Sequence, residues 1–267
     1  MKAVAPLLGV FIILSGCLSE GTVDRQPRIP STFETLQTAL LLTDRFPNVT
    51  VEIDYVEGKA PGRESLENIR RALLEVAQKE RVTLLEPAVI RDVVPDRARQ
   101  WTVDEVHDLD RRTRDFPVAP GTYGLEGTAY LHVLYLDGEG SVDGRPAAGL
   151  EGDGWLALWP DTFNHTEDDV VPPHQIYPYP ELRETKVLLH ELGHAFGLVN
   201  CGIPMVTPRE DPDSRCHSTS EESVMYVHTD WMDSRLGRFT GKLAYPTWFD
   251  DDDLEDIRAF QRAYSKG

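Results

Sequence analysis

Lysine is scarce in this chain: six of the 27 basic residues are lysine, and the basic total falls far short of the 45 acidic residues, leaving a formal net charge of −18. Such a surface repels polyanions, which excludes nucleic acid as a partner and excludes electrostatic docking on anionic lipid. Long apolar runs are absent as well. The longest, Val4 to Leu14, is about a dozen residues, too short to span a bilayer as a stable helix but suited to the core of a signal peptide. No internal repeat and no long low-complexity segment is visible, so a solenoid is not expected. Cysteine is limited to Cys17, Cys201 and Cys216. What is present is a length of 267 residues with 40% hydrophobic and 9% aromatic content, enough for one sizeable core and the composition of a folded domain.

The chemistry concentrates in His190-Glu191-Leu192-Gly193-His194. Residues i and i+4 lie one turn apart on the same helix face, so both imidazoles can reach one metal ion, while Glu191 turns towards a water on that ion. Val187, Leu188, Leu189, Leu192, Ala195, Phe196 and Leu198 make the surrounding helix apolar enough to be buried, and two buried histidines require a partner such as a metal. Gly197 follows three residues after His194, where a sharp reversal of the chain favours a residue free to take positive φ.

His190-Glu191-x-x-His194-x-x-Gly197, followed by Ser223-Val224-Met225-Tyr226, resembles the metzincin clan of zinc peptidases. The resemblance implies a metzincin-like zincin fold of the mixed α/β (α+β) kind: a twisted mixed sheet, an active-site helix, a Met-turn at Met225 and a C-terminal helix. It implies one catalytic Zn2+ held by His190 and His194, with Glu191 as general base. The clan places a third His or Asp three residues after the glycine, and here that position is Asn200, whose neutral amide oxygen is a poor zinc ligand. In an exported protein Cys201 and Cys216 are expected to form a disulfide. Bridged α-carbons sit about 5.5 Å apart, so the bond would carry the next residue, His217, back towards residue 200. His217 is the expected third ligand. Competing assignments are Asn200 itself, Asp211, Asp213, His228, or a second zinc held by the cysteines, as archaemetzincins do. Tyr226 directly follows Met225 and is expected to be a packed turn residue, since related peptidases place their oxyanion-stabilising tyrosine one position later.

Leu14-Ser15-Gly16-Cys17 resembles the lipobox of prokaryotic lipoproteins, which implies cleavage before Cys17 and lipid on its sulfur. The expected organisation is therefore a lipoprotein signal peptide at 1–16, a lipidated tether at 17–30 and one catalytic domain at 31–267, tethered to the membrane outside the cytoplasm. Cys17 is the only cysteine before the catalytic helix, so no cysteine-switch pro-segment is expected.

Elsewhere the pattern reads as a strand over Val49 to Val56, a helix with Leu66, Ile69, Leu73 and Val76 on one face, and a strand over Arg81 to Ile90. Thr102-Val103-Asp104-Glu105 resembles a capping box. Thr128 to Leu136 is the clearest strand, ended by turn chemistry at Asp137-Gly138-Glu139-Gly140. Gly154 to Trp159 is a further strand, placed by the resemblance at the sheet edge that pairs with extended substrate; Trp155, Leu156 and Trp159 also suit core packing. Residues 229–247 are a candidate pocket wall. The acids Asp250 to Asp253 suit the N-cap of a closing helix that carries Leu254, Ile257, Phe260 and Tyr264, with Ca2+ binding as the sharper alternative. His107, His132, His165 and His174 lack metal-like spacing.

The function expected is that of a zinc endopeptidase cutting extracytoplasmic peptides or proteins. Two other classes fit the residues: a binding protein on a decayed peptidase fold, which Asn200 favours and the intact Glu191 opposes, and a zinc hydrolase of a non-peptide amide.

Overall fold

Strand β1 (Asn48–Val56) is the spine of the molecule, because it is β-branched on both faces and has neighbours on both edges. The computed structural model of the chain describes residues 35–116, 122–142, 144–163, 180–226 and 249–265. Before β1 lies a short helix, α1 (Leu36–Leu41); after it come α2 (Arg63–Glu75), β2 (Arg81–Leu84), β3 (Ala88–Ile90), β4 (Gln100–Thr102) and α3 (Val103–Thr113). The chain continues through β5 (Gly124–Leu125), β6 (Thr128–Tyr135), β7 (Glu139–Val142), β8 (Arg145–Ala147), β9 (Gly149–Glu151), β10 (Trp155–Leu158) and α4 (Pro160–Phe163). It closes with α5 (Pro180–Ala195), β11 (Glu210–Asp211), β12 (Ser214–Ser218) and α6 (Asp251–Tyr264).

The main sheet runs in the order β2-β1-β6-β10-β9, with β3 also on β1 and β5 also on β6. All pairs along the spine are parallel; β9 on β10 and β5 on β6 are antiparallel. The fold is thus mixed α/β. Alternation along the strands splits the core in two. Val49, Val51 and Ile53 of β1 and Leu131 and Val133 of β6 face α2 and α5, whereas Leu134 and Leu136 face Trp101, Val106 and Leu109 from β4 and α3. Burial of each such side chain contributes about 1.5–3 kcal/mol, so α5 is seated by its apolar face before any metal is considered.

Several sequence expectations meet their elements here. Thr102 caps α3 and Glu105 returns the bond to the Thr102 backbone, and Asp250 and Asp253 do the same for α6. Trp155, Leu156 and Trp159 are core residues. Three expectations need correction. The strand expected over 81–90 is two strands, because the chain leaves β1 at Glu86-Pro87, after Leu85 has made its bond to Val51, and proline has no N–H to give the ladder. The turn expected at Asp137 to Gly140 is shorter, and Glu139 already begins β7. The strand at Trp155–Leu158 is not the edge: Gly152-Asp153-Gly154 folds residues 149–151 back onto it, so β9 takes the edge. Residues 1–34, on which the expected signal peptide, the lipidation expected at Cys17 and the expected tether fall, lie outside the described residues, as do His165, His174, His228 and the segment 229–247.

Candidate metal centre

Helix α5 delivers His190 and His194 one turn apart, with Nε2 atoms 3.1 Å from each other. The third imidazole is His217, at the end of a loop that returns from far along the chain. Its ring centroid lies 5.1 Å from that of His190 and 4.9 Å from that of His194, and the three residues offer ligand atoms within 4.8 Å of one another. All three are buried. His190 donates from Nδ1 to the carbonyl of Val224 (2.8 Å), and the Nδ1 of His217 faces the carbonyl of Arg215 (2.8 Å) and Ser214 Oγ (3.0 Å). Those bonds set the tautomers that leave Nε2 as the lone-pair donor. Burial, and then His217 beside it, pushes His190 down to about 3, and burial together with His190 and His217 holds His194 well below the usual range. Three imidazoles converging on one point are a donor set that would suit a divalent metal such as zinc.

The route to His217 depends on backbone that ordinary residues avoid. Gly197 takes φ +76°, and a Cβ there would come within 2.8 Å of both Gln37 Cγ and Gly202 Cα. Val199 (φ +51°), Asn200 (φ +63°) and Cys216 (φ +65°) share the left-handed region, where a β-branched residue such as valine is seldom found. Cys201 and Cys216 are joined, with α-carbons 5.2 Å apart. The bond pins the two ends of the loop, and His217 enters the site as the residue after the bridge. Asn200 is exposed at the start of this loop, as is Asp213; Asp211 is buried in β11, where it accepts from the Asp213 backbone.

Met225 is fully buried, and its sulfur lies where a side chain on Gly193 would project, 2.3 Å from an ideal Cβ there. It therefore forms the floor under the turn of α5 between the two histidines. Its carbonyl accepts from the Ser218 backbone at 2.8 Å, and Tyr226 bridges to Ser218, so the Met225 turn is tied to the residue after His217. Beneath it, Ser223 Oγ accepts from the Met225 backbone (2.9 Å) and donates to Asp253 (2.7 Å), and Asp253 and Asp256 both take Arg209 (2.8 and 2.7 Å). The acidic run at 250–253 thus caps α6 and clamps this loop; among the described residues it forms no metal-ligand cluster.

Glu191 sits one residue from His190 but faces the sheet edge. It is buried, burial and the nearby Glu151 push its carboxyl well above the usual range, and its Oε2 has no hydrogen-bond partner among the described residues. A divalent cation among the imidazoles would oppose that shift by favouring the charged carboxylate. An ideal Cβ on Gly149 of β9 would lie 2.4 Å from Glu191 Oε1, so the edge strand approaches this carboxyl in a way only glycine permits. Sequence reasoning missed Gly149, Glu151, Val224 and Arg209. The hairpin signal at Gly152-Asp153-Gly154 was available for the first two; Val224 acts through its carbonyl, and Arg209 carries no local pattern.

A second buried group lies on the far face of the sheet. His132 bonds Asp110 (2.8 Å) through Nδ1 and Asp54 (3.1 Å) through Nε2, Arg114 grips Asp110, and Glu52 accepts from the Asp115 backbone. These partners bolt α3 to β1 and β6, and Glu52, Asp54 and His132 also lie close enough together to form a second group able to hold a metal ion, which the spacing of His132 in the sequence did not suggest.

No protein-family profile and no curated protein matches the chain. Among solved structures it is similar to the crystal structure of archaemetzincin from Methanopyrus kandleri, at 16% identity and a TM-score of 0.46, over 82% of this chain and 98% of that one.

Proposed function

We propose that the chain is a zinc-dependent endopeptidase, exported and anchored by lipid at Cys17, that hydrolyses peptide bonds of extracytoplasmic proteins or peptides. The observation that carries the reading is the convergence of three buried imidazoles, His190, His194 and His217, beside the carboxyl of Glu191 at a sheet edge. Zinc held by these imidazoles supplies Lewis acidity, lowering the pKa of a water towards about 7 and polarising the scissile carbonyl. Glu191 accepts the proton of the attacking water and returns it to the leaving amine, so one carboxylate serves both halves of the reaction. The outer edge of β9 pairs with no other strand among the described residues, and its N–H and C=O groups can take an extended peptide as an added strand. Met225 and the Val224 carbonyl hold the imidazoles from below.

The test is zinc content and hydrolysis of an unfolded protein such as casein, measured together on wild type and His217→Ala. One zinc per chain in wild type, lost in the variant along with hydrolysis, supports the reading. A folded wild type that binds no zinc and cleaves nothing overturns it.

A further inference from the structure

The edge strand carries a second carboxylate that the proposed chemistry does not use. Glu151 lies two residues from Gly149, so both project from the same face of β9, towards α5. The pairing agrees: Glu151 stands opposite Leu156 and Gly149 opposite Leu158, both of which belong to the α5 side of the core. Gly149 abuts the Glu191 carboxylate, and Glu151 is near enough to raise the pKa of Glu191. One step of two residues along a strand is about 6.6 Å, roughly the spacing from one substrate side chain to the next on the same face.

What makes Glu151 unusual is its company. The charged groups that act on it are acidic, Asp153 and Glu191, and no cation pairs with it among the described residues. Arg114, which donates to the Asp153 carbonyl of this hairpin at 3.3 Å, forms its ion pair with Asp110, through three contacts of 2.7–3.0 Å, and not with Glu151. Desolvation and Asp153 hold the Glu151 carboxyl up at about 8. A partly buried carboxylate without a counterion is costly unless something supplies the charge, yet the residue keeps contact with solvent and stands beside the edge where a peptide would lie.

We propose that Glu151 is a subsite for a positively charged group of the substrate, an ammonium or guanidinium held next to the scissile bond. The proposal rests on the peptidase reading for its substrate class. Two parts of a peptide carry that chemistry: the side chain of a lysine or arginine beside the cleaved bond, and the peptide's own α-amino group. Either would form a charge-assisted hydrogen bond that a neutral residue cannot make.

The test uses quenched fluorescent peptides identical except at the residues flanking the expected bond, with lysine, norleucine or glutamate there, each with a free or an acetylated amino terminus. Hydrolysis is measured with zinc-loaded wild type, Glu151→Gln, Glu151→Lys and Glu75→Gln; Glu75 is an exposed acid on α2 that controls for overall charge. Binding of the same peptides is measured by anisotropy in the Glu191→Gln background, with and without Glu151→Gln. A charge-assisted contact predicts a preference for the cationic peptide of about tenfold or more, kept in Glu75→Gln, erased in Glu151→Gln and reversed towards a glutamate peptide in Glu151→Lys. Loss of the preference on acetylation identifies the α-amino group; its persistence identifies the side chain. Hydrolysis without cationic preference, or a preference unchanged in Glu151→Gln, overturns the subsite and leaves the peptidase standing. Glu151-dependent binding with no hydrolysis by wild type does the reverse.

Discussion

Gly149 and Glu191 compete for one volume: an ideal Cβ on the strand residue would lie 2.4 Å from Oε1 and 2.7 Å from Cγ of the helix residue. Gly149→Ala should therefore push the carboxylate off its position without touching a histidine. A misplacement near 1 Å costs about 100-fold in rate, so hydrolysis should fall by that order while zinc content stays at the wild-type level. Parallel metal analysis and kinetics check this; unchanged kcat would show that Glu191 relaxes freely.

Glu191→Gln keeps the shape of the side chain and removes the proposed base. Loss of general acid–base catalysis lowers kcat by about 10²–10⁴, and the variant should still hold zinc, since the carboxylate is not among the three converging imidazoles. Zinc analysis and single-turnover hydrolysis on the same preparation decide the point, and activity near wild type would mean that another group takes the proton.

Reduction of the Cys201–Cys216 bond, or the Cys201→Ser/Cys216→Ser pair, should loosen the delivery of His217. The bond closes a separation of 15 residues, a loop length for which the chain-entropy account gives about 3 kcal/mol of stability. Because the bridge immediately precedes a metal-site imidazole, zinc affinity should drop together with thermal stability. Titration with a chromophoric chelator under reducing and non-reducing conditions would detect it.

Arg209 is the cation that both Asp253 and Asp256 share, with all three side chains buried. Arg209→Met leaves two buried carboxylates without it, and breaking a buried pair of this kind costs about 3–5 kcal/mol. Urea unfolding should show that loss, whereas Arg70→Met, which removes an exposed i,i+3 pair with Glu67, should change stability by less than about 1 kcal/mol.

Stability should also depend on Lys79. Its ammonium is buried and donates to the carbonyls of Ala39 (2.8 Å) and Phe46 (2.5 Å), and burial lowers its pKa from 10.5 to about 7. The unfolded chain therefore holds this proton more tightly than the fold does. Between about pH 7 and 10.5 unfolding takes up a proton at this residue, so its contribution makes stability rise with pH in that window. Unfolding curves at pH 7.5 and 9 for wild type and Lys79→Met should show a smaller rise in the variant.

Residues close together in sequence were the readable part of this molecule. His190, Glu191 and His194 share one helical turn, and their apolar setting announced a buried helix. Thr102 and Asp250 reveal helix starts because an N-cap is a local hydrogen bond. The third imidazole was harder: its place depends on a bridge, four left-handed residues and a clamp from α6, none of which is set by spacing from His194. The edge strand was misassigned for a related reason. Three residues, Gly149 to Glu151, are too few to show alternation, and only the hairpin that reverses at Gly152 to Gly154 tells which strand is outermost.

The clamp made by Asp253 and Asp256 has a consequence for how the site can be turned off. Two of its imidazoles belong to a helix packed against the sheet, but the third and the floor beneath them hang from hydrogen bonds that end on α6. A cut that detaches this helix would strand His217 although it removes no metal-site residue from the chain. The closing helix thus works as a remote latch, and damage there would silence the centre from a distance.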